Sequence, residues 1–423
     1  MIALDPELRY RDDRVCYHPS TGYFIVSNFI IKFFKFCNAQ PVNWIDIEGS
    51  TLASNIAKKL IKLGLAIDTN EQICTKCERP FWKPSSENYP PLDAEIYPTY
   101  NCNYSCKFCS SDFIKLKNNS ESDLPREFIG EIAEKLDFVG LFNVGIVGGE
   151  PFLYPHLKEL IDELIDKGMH VHLTTNASIE PSKIADVYQS GLHIAVSLHE
   201  DDPQKNDNIT GQRGSYNRAV RSIKFLQSKD IPVRIISVIE YPSIEKIQKM
   251  AKSWIDLGVE QVTFCRAIKI GKARLLDIGN WSAESICELE NMEAELNRMV
   301  KLKIHTGLPF RITTPPENQE APYYLKINNR CDAGIRGLYI APSCDVFPCE
   351  LLSNHKYKLG NILDDDWPNF LVSSPIISFL RNLKTPESCN ACRYSSVCHG
   401  GCPGLGIEDG DLLLPMLHCP FEI

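Results

Sequence analysis

The stretch Asn101-Cys102-Asn103-Tyr104-Ser105-Cys106-Lys107-Phe108-Cys109 carries three cysteines at the spacing C-x3-C-x2-C. A [4Fe–4S] cluster usually takes four cysteine ligands, so three thiolates in one loop would leave one iron open to a group other than protein. The chain contains 17 Cys in 423 residues, and at that frequency such a triple arises by chance only about 0.03 times. Buried free thiols and half of a zinc site are the alternatives. The spacing therefore favours an iron–sulfur site with one open iron.

Charge and composition restrict the class of protein. The net charge of −9 argues against a nucleic-acid or anionic-membrane partner, because both attract basic surfaces. No apolar run is long enough to span a bilayer, and the first residues lack the basic-then-apolar order of a signal peptide. We therefore expect a cytoplasmic protein, in which thiols stay reduced and clustered cysteines bind metal rather than form disulfides.

Changes in patterning divide the chain into segments. Strand-like runs near residues 15–26 and 29–36 precede Leu52, Ile56, Leu60 and Leu63, whose spacing is helical. A proline-rich stretch with little pattern follows, and the last hundred residues are dense in cysteine. We predict a winged-helix-like module over 1–72, a linker over 73–91, a barrel over 92–313 and a Cys-rich domain over 314–423.

The middle segment alternates strand-like and helix-like stretches, which is typical of a parallel α/β sheet. Six such units predict a partial (β/α)6 TIM-like barrel. In such folds the loops at the carboxyl ends of the strands carry the chemistry, and the three-Cys loop follows the first strand. The predicted strands are Ala94–Thr99, Asn143–Val147, His170–Thr175, His193–Leu198, Val233–Ile239 and Gln261–Arg266.

The three-Cys run, with Phe108 before its last cysteine, resembles the signature loop of the radical S-adenosylmethionine (SAM) enzymes. The resemblance implies that the open iron chelates the amino and carboxylate groups of SAM. Gly148-Gly149-Glu150, directly after the second strand, matches the family motif that meets the SAM amino group, although glycines at strand ends are often simple turns.

Further SAM contacts are implied at the ends of later strands. The alternatives are a helix cap, a half-buried hydroxyl and a solvated surface arginine, and Arg266 at the end of the sixth strand is open to the same alternative. The implied contacts are Thr175, Asn176, Ser197 and Arg213.

The C-terminal run Cys389-x2-Cys392-x5-Cys398-x3-Cys402, taken with Cys331, Cys349 and Cys419, resembles the SPASM domain. That domain extends radical SAM enzymes and holds two auxiliary [4Fe–4S] clusters. The resemblance implies three clusters in all. It assigns one auxiliary cluster to Cys389, Cys392, Cys398 and Cys419, and the other to Cys331, Cys349 and Cys402.

Several residues near these motifs are ambiguous. Cys344 stands where the family usually has glycine, so it is either a fourth ligand of the inner cluster or a bystander thiol. Glu350 stands where a sulfatase-maturing relative carries an acidic proton acceptor, which implies a catalytic role. The alternative is a surface glutamate without such a role. The pair Cys74 and Cys77 would be half of a zinc site, but no second pair lies beside it, so bystander thiols and unusual extra ligands are both open alternatives. The cysteines expected to be core or surface thiols are Cys16, Cys37, Cys265 and Cys287.

The N-terminal module resembles, loosely, the element with which radical SAM peptide maturases pair a leader peptide along a sheet edge. A DNA-binding winged helix competes with this interpretation, but Lys58, Lys59 and Lys62 are its only helical cations. The resemblance as a whole implies an enzyme that crosslinks a ribosomal precursor peptide, with a flavodoxin- or ferredoxin-type reductant. Oxidation of a single residue, dehydrogenation of a small molecule, and a non-catalytic electron-transfer or zinc-stabilised protein are the alternatives.

Overall fold

A long and mostly parallel β-sheet presents the candidate functional loops along one edge. The computed structural model describes residues 2–4, 8–11, 15–18, 22–25, 30–31, 34–35, 51–63, 65–68, 78, 91–110, 123–277, 281–298, 301–305, 333–334, 336–405 and 419–421. The strands are β1 (Ile2–Leu4), β2 (Arg9–Tyr10), β3 (Val15–His18), β4 (Gly22–Ile25), β5 (Ala66–Asp68), β6 (Asp93–Ile96), β7 (Asn143–Ile146), β8 (His170–Thr175), β9 (Leu192–Ser197), β10 (Val233–Ile239), β11 (Gln261–Arg266), β12 (Lys301–His305), β13 (Gly337–Ile340), β14 (Asp345–Phe347) and β15 (Gly360–Asn361). The helices are α1 (Thr51–Lys62), α2 (Ile129–Phe138), α3 (Leu157–Asp166), α4 (Pro181–Ala185), α5 (Pro203–Thr210), α6 (Ser215–Gln227), α7 (Ile244–Asp256), α8 (Ala283–Leu296), α9 (Trp367–Ser373), α10 (Pro375–Arg381) and α11 (Ser395–Cys398). The predictions for Cys37, Cys74, Cys77 and Cys331 lie outside the described residues.

The predicted partial barrel is confirmed. Strands β6 to β12 run parallel, and each pairs with the next along the chain. All six predicted strands are present, although the first ends at Ile96 rather than Thr99. A seventh parallel strand, β12, was not predicted. Its residues alternate between exposed and buried, which is the period-2 signal of a half-buried edge strand.

Amphipathic helices cover the outer face of the parallel strands. Leu136 of α2, Leu160 of α3 and Trp254 of α7 are almost fully buried in one hydrophobic core with strand residues such as Ile146. The helices start at polar caps, as at Ser243, whose hydroxyl accepts a hydrogen bond from a backbone N–H in the first turn of α7. The packed helices fix the strands, so the loops at the carboxyl edge have a rigid base.

The C-terminal domain continues the barrel sheet. Strand β13 pairs parallel with β6, with Tyr339 beside Glu95, and β14 and β15 then extend the sheet in antiparallel fashion. Ile340, Trp367 and Tyr394 belong to the same hydrophobic core as the barrel strands. Because β6 also carries the three-Cys loop, this shared sheet fixes the C-terminal cysteines relative to that loop.

The N-terminal module contains an antiparallel sheet of β2, β3 and β4 and an antiparallel pair of β1 and β5. The predicted strand-like run over 29–36 is wrong for its described residues, which are helical. Ile31 and Phe34 are buried there at helical spacing with Leu60 of α1. Cys16 is a core thiol, as expected.

The module packs against the barrel at the amino ends of its strands. The Arg9 side chain donates from Nε to the Gly168 carbonyl oxygen over 2.7 Å. The guanidinium of Arg11 lies over the Phe142 ring at 5.2 Å from the centroid, and Tyr17 is buried beside the same ring. Within the described parts of the chain, no helix combines the length and apolar character needed to cross a membrane.

Candidate active site

The three-Cys loop lies at the carboxyl edge of the barrel, directly after β6. Within it, Ser105 N donates to Thr210 O over 3.0 Å and Lys107 N donates to Ile209 O over 2.9 Å. These bonds attach the middle of the loop to the last turn of α5. All three cysteines border one cavity of about 680 Å³, together with residues from the ends of β7 to β11. The loop therefore opens into the region where the barrel presents its other strand ends.

Gly148 and Gly149 are needed because the chain that leads into the three-Cys loop lies close to the segment that follows β7. Gly149 N donates to Thr99 O over 2.9 Å, and Glu150 N donates to Asn101 O over 2.8 Å. A Cβ on Gly149 would lie 2.0 Å from Asn101 O, and Gly148 has φ +113. The segment that leads into the first cysteine therefore occupies the space beside Gly149.

The Glu150 carboxylate is only 1% exposed and points into the protein. Its Oε1 accepts hydrogen bonds from Thr175 Oγ1 (2.7 Å) and Phe152 N (3.2 Å), and its Oε2 accepts one from Asn176 N (2.7 Å). Burial raises the pKa of Glu150 to about 7, and these three hydrogen bonds oppose the rise. Since a carboxylate offers about four acceptor positions, one position remains for an ammonium group. Glu150 thus joins the ends of β7 and β8.

The Asn176 side chain extends from the end of β8 to the first cysteine. Its Nδ2 donates to Asn103 Oδ1 over 3.1 Å and to Cys102 Sγ over 3.8 Å, and its Oδ1 accepts from Ser178 N over 2.9 Å. A hydrogen bond to sulfur favours the thiolate. The sequence predicted Asn176 as a SAM contact, and its contact with Cys102 was missed.

The three thiols are close enough to influence one another. Burial raises the pKa of Cys106 to about 12, with further upward contributions from Cys109 and Cys102, and the positive charge of Lys272 opposes this rise. Mutually repelling soft thiolates are the donor set of iron–sulfur clusters, and bound iron would relieve the repulsion. Among the described residues no three His, Cys, Asp or Glu side chains are close enough for a single metal ion. The three thiols instead line one wider cavity. Because a four-iron cluster is larger than a single ion, the residues present fit a cluster.

The other predicted SAM contacts fall into two groups. Arg213 is exposed and is absent from the described residues that line the cavity. The arginine that does border the cavity is Arg266, whose guanidinium lies 5.1 Å from the centre of the Trp281 ring. Arg266 is therefore the better placed partner for a carboxylate. The predicted contacts that line the cavity are Phe108, Thr175, Asn176 and Ser197.

Glu350 borders the same cavity from the C-terminal domain. Tyr97, after β6, and Ser110, after the last cysteine of the loop, donate hydrogen bonds to its carboxylate. Its Oε1 is buried and has no hydrogen-bond partner among the described residues. Burial raises the pKa of Glu350, and the two hydrogen bonds oppose that rise. This oxygen can accept a proton or a hydrogen bond from a ligand in the cavity.

Four C-terminal cysteines lie near one another. Burial raises the pKa of Cys398 to about 11, with contributions from Cys419, Cys389 and Cys392. The Tyr394 ring packs on the Phe421 ring, with 5.0 Å between centroids. This contact holds the segment that carries Cys419 against the segment that carries the other three. The structure thus brings together the four residues that the resemblance to the SPASM domain assigns to one cluster.

Cys402 diverges from that group because the chain turns after Cys398. Its thiol lies beside Gly404, at which a Cβ would come within 2.9 Å of Leu351 Cβ. Leu351 belongs to the turn that follows Cys349, so Cys402 and Cys349 occupy neighbouring positions. Their predicted partner Cys331 lies outside the described residues. The turn is made by three successive residues in the left-handed region, His399 (φ 50), Gly400 (φ 90) and Gly401 (φ 72).

Cys344 forms part of the tight turn between β13 and β14, where Cys344 N donates to Ala341 O over 2.9 Å. Its φ of 65 explains why glycine is usual at this position in the family. The thiol is buried in the barrel core, whereas Cys349 packs in a separate cluster with Leu352 and Tyr357. Ligation by Cys344 stays a prediction.

Some cavity residues were missed or misjudged from the sequence. Tyr97 and Lys272 were not named, and Cys265 was expected to be a simple core or surface thiol, yet all three line the cavity. Burial raises the pKa of Cys265 to about 11. Tyr97 and Lys272 follow β6 and β11, so their position after a parallel strand was the available signal.

Family models match two parts of the chain. Residues 96–253 match the radical SAM superfamily, and residues 331–393 match SPASM, an iron–sulfur cluster-binding domain. The first match runs from the last residue of β6 to most of α7, and therefore includes the three-Cys loop and the Gly-Gly-Glu motif. The second begins at Cys331 and includes Cys349, Cys389 and Cys392.

The chain is also similar to known proteins over most of its length. It is 26% identical over 326 residues to the antilisterial bacteriocin subtilosin biosynthesis protein AlbA of Bacillus subtilis, covering 75% of this chain and 68% of AlbA. It is 27% identical over 310 residues to the mycofactocin maturase MftC of Mycolicibacterium smegmatis, covering 72% and 76%. The crystal structure of Streptococcus suis SuiB bound to the precursor peptide SuiA covers 100% of both chains with a TM-score of 0.71 and 17% identity. The SuiB likeness shows a common fold from the N-terminal module to the C-terminal domain.

Proposed function

The chain belongs to the radical SAM superfamily and carries a SPASM domain, and on that basis we propose that it is a peptide maturase that installs a crosslink in a ribosomally made precursor peptide. The observation that supports this most directly is one cavity bordered by the three-Cys loop, the Gly-Gly-Glu motif and Glu350. With its cluster bound and reduced, the loop would cleave SAM to methionine and a 5′-deoxyadenosyl radical that removes a hydrogen atom from the peptide.

Different residues around this cavity hold the cluster, bind SAM and exclude water. Cys102, Cys106 and Cys109 supply the three thiolates, while the remaining acceptor position of Glu150 and the guanidinium of Arg266 match the amino and carboxylate groups of SAM. Aromatic side chains such as Phe108 help to exclude water from the reacting atoms.

The C-terminal cysteines hold two auxiliary clusters in this proposal, which makes three [4Fe–4S] clusters per chain. Cys389, Cys392, Cys398 and Cys419 form a four-thiolate set. Cys331, Cys349 and Cys402 form the inner set, with Cys344 as a candidate fourth ligand. Clusters held by these two sets would supply an acceptor for the electron left on the substrate or a binding site for its thiolate, and Glu350 is placed to take up the released proton.

The N-terminal module binds the leader of the precursor peptide. Among the described strands β4 pairs only with β3, and an edge strand offers backbone donors and acceptors to an extended peptide. The relatives support a peptide substrate, since AlbA is a bacteriocin biosynthesis protein, MftC is a maturase and SuiB was crystallised with a precursor peptide. A flavodoxin- or ferredoxin-type protein supplies the electrons.

Anaerobic reconstitution followed by iron and sulfide analysis tests the cluster content, and about twelve irons per chain are expected. Reduced protein with SAM alone should release 5′-deoxyadenosine, and the variant with Cys102, Cys106 and Cys109 all replaced by Ala should release none. Bound zinc without iron would contradict the proposal, as would normal 5′-deoxyadenosine release by the triple variant.

The crosslinking step needs a peptide probe. A short Cys- or aromatic-containing peptide encoded beside this chain would be incubated with and without its leader. Tandem mass spectrometry should show the loss of two hydrogen atoms and no fragmentation between the joined residues, and only when the leader is present. Loss of hydrogen confined to one residue would favour single-residue oxidation, and equal modification without the leader would remove the role given to the module.

A further inference from the structure

Lys272 contacts the three-Cys loop from the β11 side of the barrel. It lies in the 3-10 turn Gly271–Leu275, beyond the end of β11. Its ammonium donates to Ser105 Oγ over 2.9 Å, and its backbone N–H donates to Cys109 O over 3.3 Å. One residue thus holds the loop both at its last cysteine and between its first two. Neither family motif includes Lys272.

The charge of Lys272 is also directed at the loop. Its side chain lines the cavity that the three thiols border, and Ser105 directly precedes Cys106. Of the other charged side chains that line this cavity, Arg266 is stacked on Trp281, and Glu150 is buried among three hydrogen-bond donors. The third, Glu350, accepts hydrogen bonds from Tyr97 and Ser110. Among the described residues that line the cavity, Lys272 is therefore the cation whose side chain hydrogen-bonds to the cysteine loop.

Building on the proposed function, we propose that Lys272 is a positioning residue of the three-Cys loop whose ammonium stabilises the reduced state of the cluster held there. Three thiolates give such a cluster a negative charge, and reduction adds one more. A nearby cation lowers the energy of the reduced state more than that of the oxidised state, because net charge and local hydrogen bonds set cluster potentials. Removing the charge should make the cluster harder to reduce.

The test compares Lys272→Gln, Lys272→Arg and Lys269→Gln. Glutamine can still donate to Ser105 but carries no charge, arginine keeps the charge, and Lys269 belongs to the same loop without lining the cavity. Each protein is titrated with reductant, and the electron paramagnetic resonance signal that changes on addition of SAM is followed. In Lys272→Gln the ratio of reduced to oxidised cluster at a fixed potential should fall about tenfold, which is about 59 mV for one electron. Lys272→Arg and Lys269→Gln should stay within about twofold of the wild type.

Several outcomes would overturn this role. One is an unchanged reduction potential of the cluster in Lys272→Gln, even if the affinity of this variant for SAM falls. An equal shift in Lys269→Gln would show that any charge in this loop has the same effect. Loss of the signal in both Lys272→Gln and Lys272→Arg would make the role purely steric, whereas loss only in Lys272→Gln supports the need for charge. If the wild type has no SAM-sensitive signal, the proposed function itself fails, so the two failures are distinguishable.

Discussion

The three-Cys loop and the C-terminal cysteines gather thiols in different ways. The loop is one continuous segment, and backbone hydrogen bonds attach it to the segment that follows β7, to the end of α5 and to the turn after β11. The C-terminal group of Cys389, Cys392, Cys398 and Cys419 comes from two segments that meet through packing of Tyr394 on Phe421. None of these four thiols is among the described residues that line the large cavity.

This difference separates an open site from a closed one. A three-thiolate loop fixed to rigid strand ends leaves one face of a bound cluster toward the cavity. A four-thiolate group completes the protein ligation of a [4Fe–4S] cluster and leaves no open iron. The sheet shared by β6 and β13 connects the two regions. We therefore expect substitutions in the loop to affect SAM, and substitutions in the C-terminal group to affect the peptide alone.

The largest expected effect comes from substituting one cysteine in each region. Cys106→Ala should abolish both 5′-deoxyadenosine release and peptide modification, since two thiolates do not hold the SAM-binding cluster. Cys398→Ala should abolish peptide modification while 5′-deoxyadenosine release continues. Both products are measured by liquid chromatography and mass spectrometry from the same reaction. If Cys398→Ala also stopped SAM cleavage, the two regions would not be separable in function.

The sequence predicted the barrel well because the spacing of its apolar residues is regular. The strands from β8 to β11 match their predicted bounds to within one residue at either end. The run over 29–36 was mistaken for a strand because a short apolar stretch fits a buried helix equally well. In the site, spacing identified the cysteines. It did not show that Glu150 points inward or that Arg266 rather than Arg213 reaches the cavity, because side-chain direction depends on packing between distant elements.

The second prediction compares a glycine from each region. In Gly149→Ala the new methyl group would lie 2.0 Å from the Asn101 carbonyl oxygen, which is backbone. The loop must move, at a cost of about 3 kcal/mol or more, and about four irons per chain should be lost. In Gly404→Ala the methyl group meets the Leu351 side chain, whose Cβ is 2.9 Å away. That variant should keep the SAM-sensitive cluster.

Iron analysis and the SAM-sensitive resonance signal measure this difference. Gly130→Ala is the control, since a Cβ there meets nothing within 4 Å and alanine favours a helix interior by about 0.5–1 kcal/mol. A full complement of iron in Gly149→Ala would show that the three-Cys loop tolerates displacement from the segment after β7. The loop would then depend on its backbone contacts no more than the C-terminal cysteine group does.

The smallest expected effect concerns the acid sensitivity of the barrel rim. His199 is buried, its Nδ1 accepts a hydrogen bond from Val238 N over 3.1 Å, and its ring packs edge-on against Phe108. Burial lowers the pKa of His199 from 6.5 to about 4, so the folded protein binds this proton less tightly than the unfolded chain does. The resulting stability is fully present above pH 6.5 and is lost as the pH falls toward 4, by at most about 3 kcal/mol.

His199→Asn keeps an acceptor for Val238 N and removes the titrating ring, so urea unfolding midpoints should fall less between pH 7 and pH 5 than in the wild type. His156→Asn changes a partly exposed histidine at the same edge of the barrel and should keep the wild-type dependence on pH. Since this variant loses its clusters in acid as the wild type does, it also controls for that loss. Equal acid dependence in wild type and His199→Asn would mean that burial of His199 does not contribute to acid unfolding.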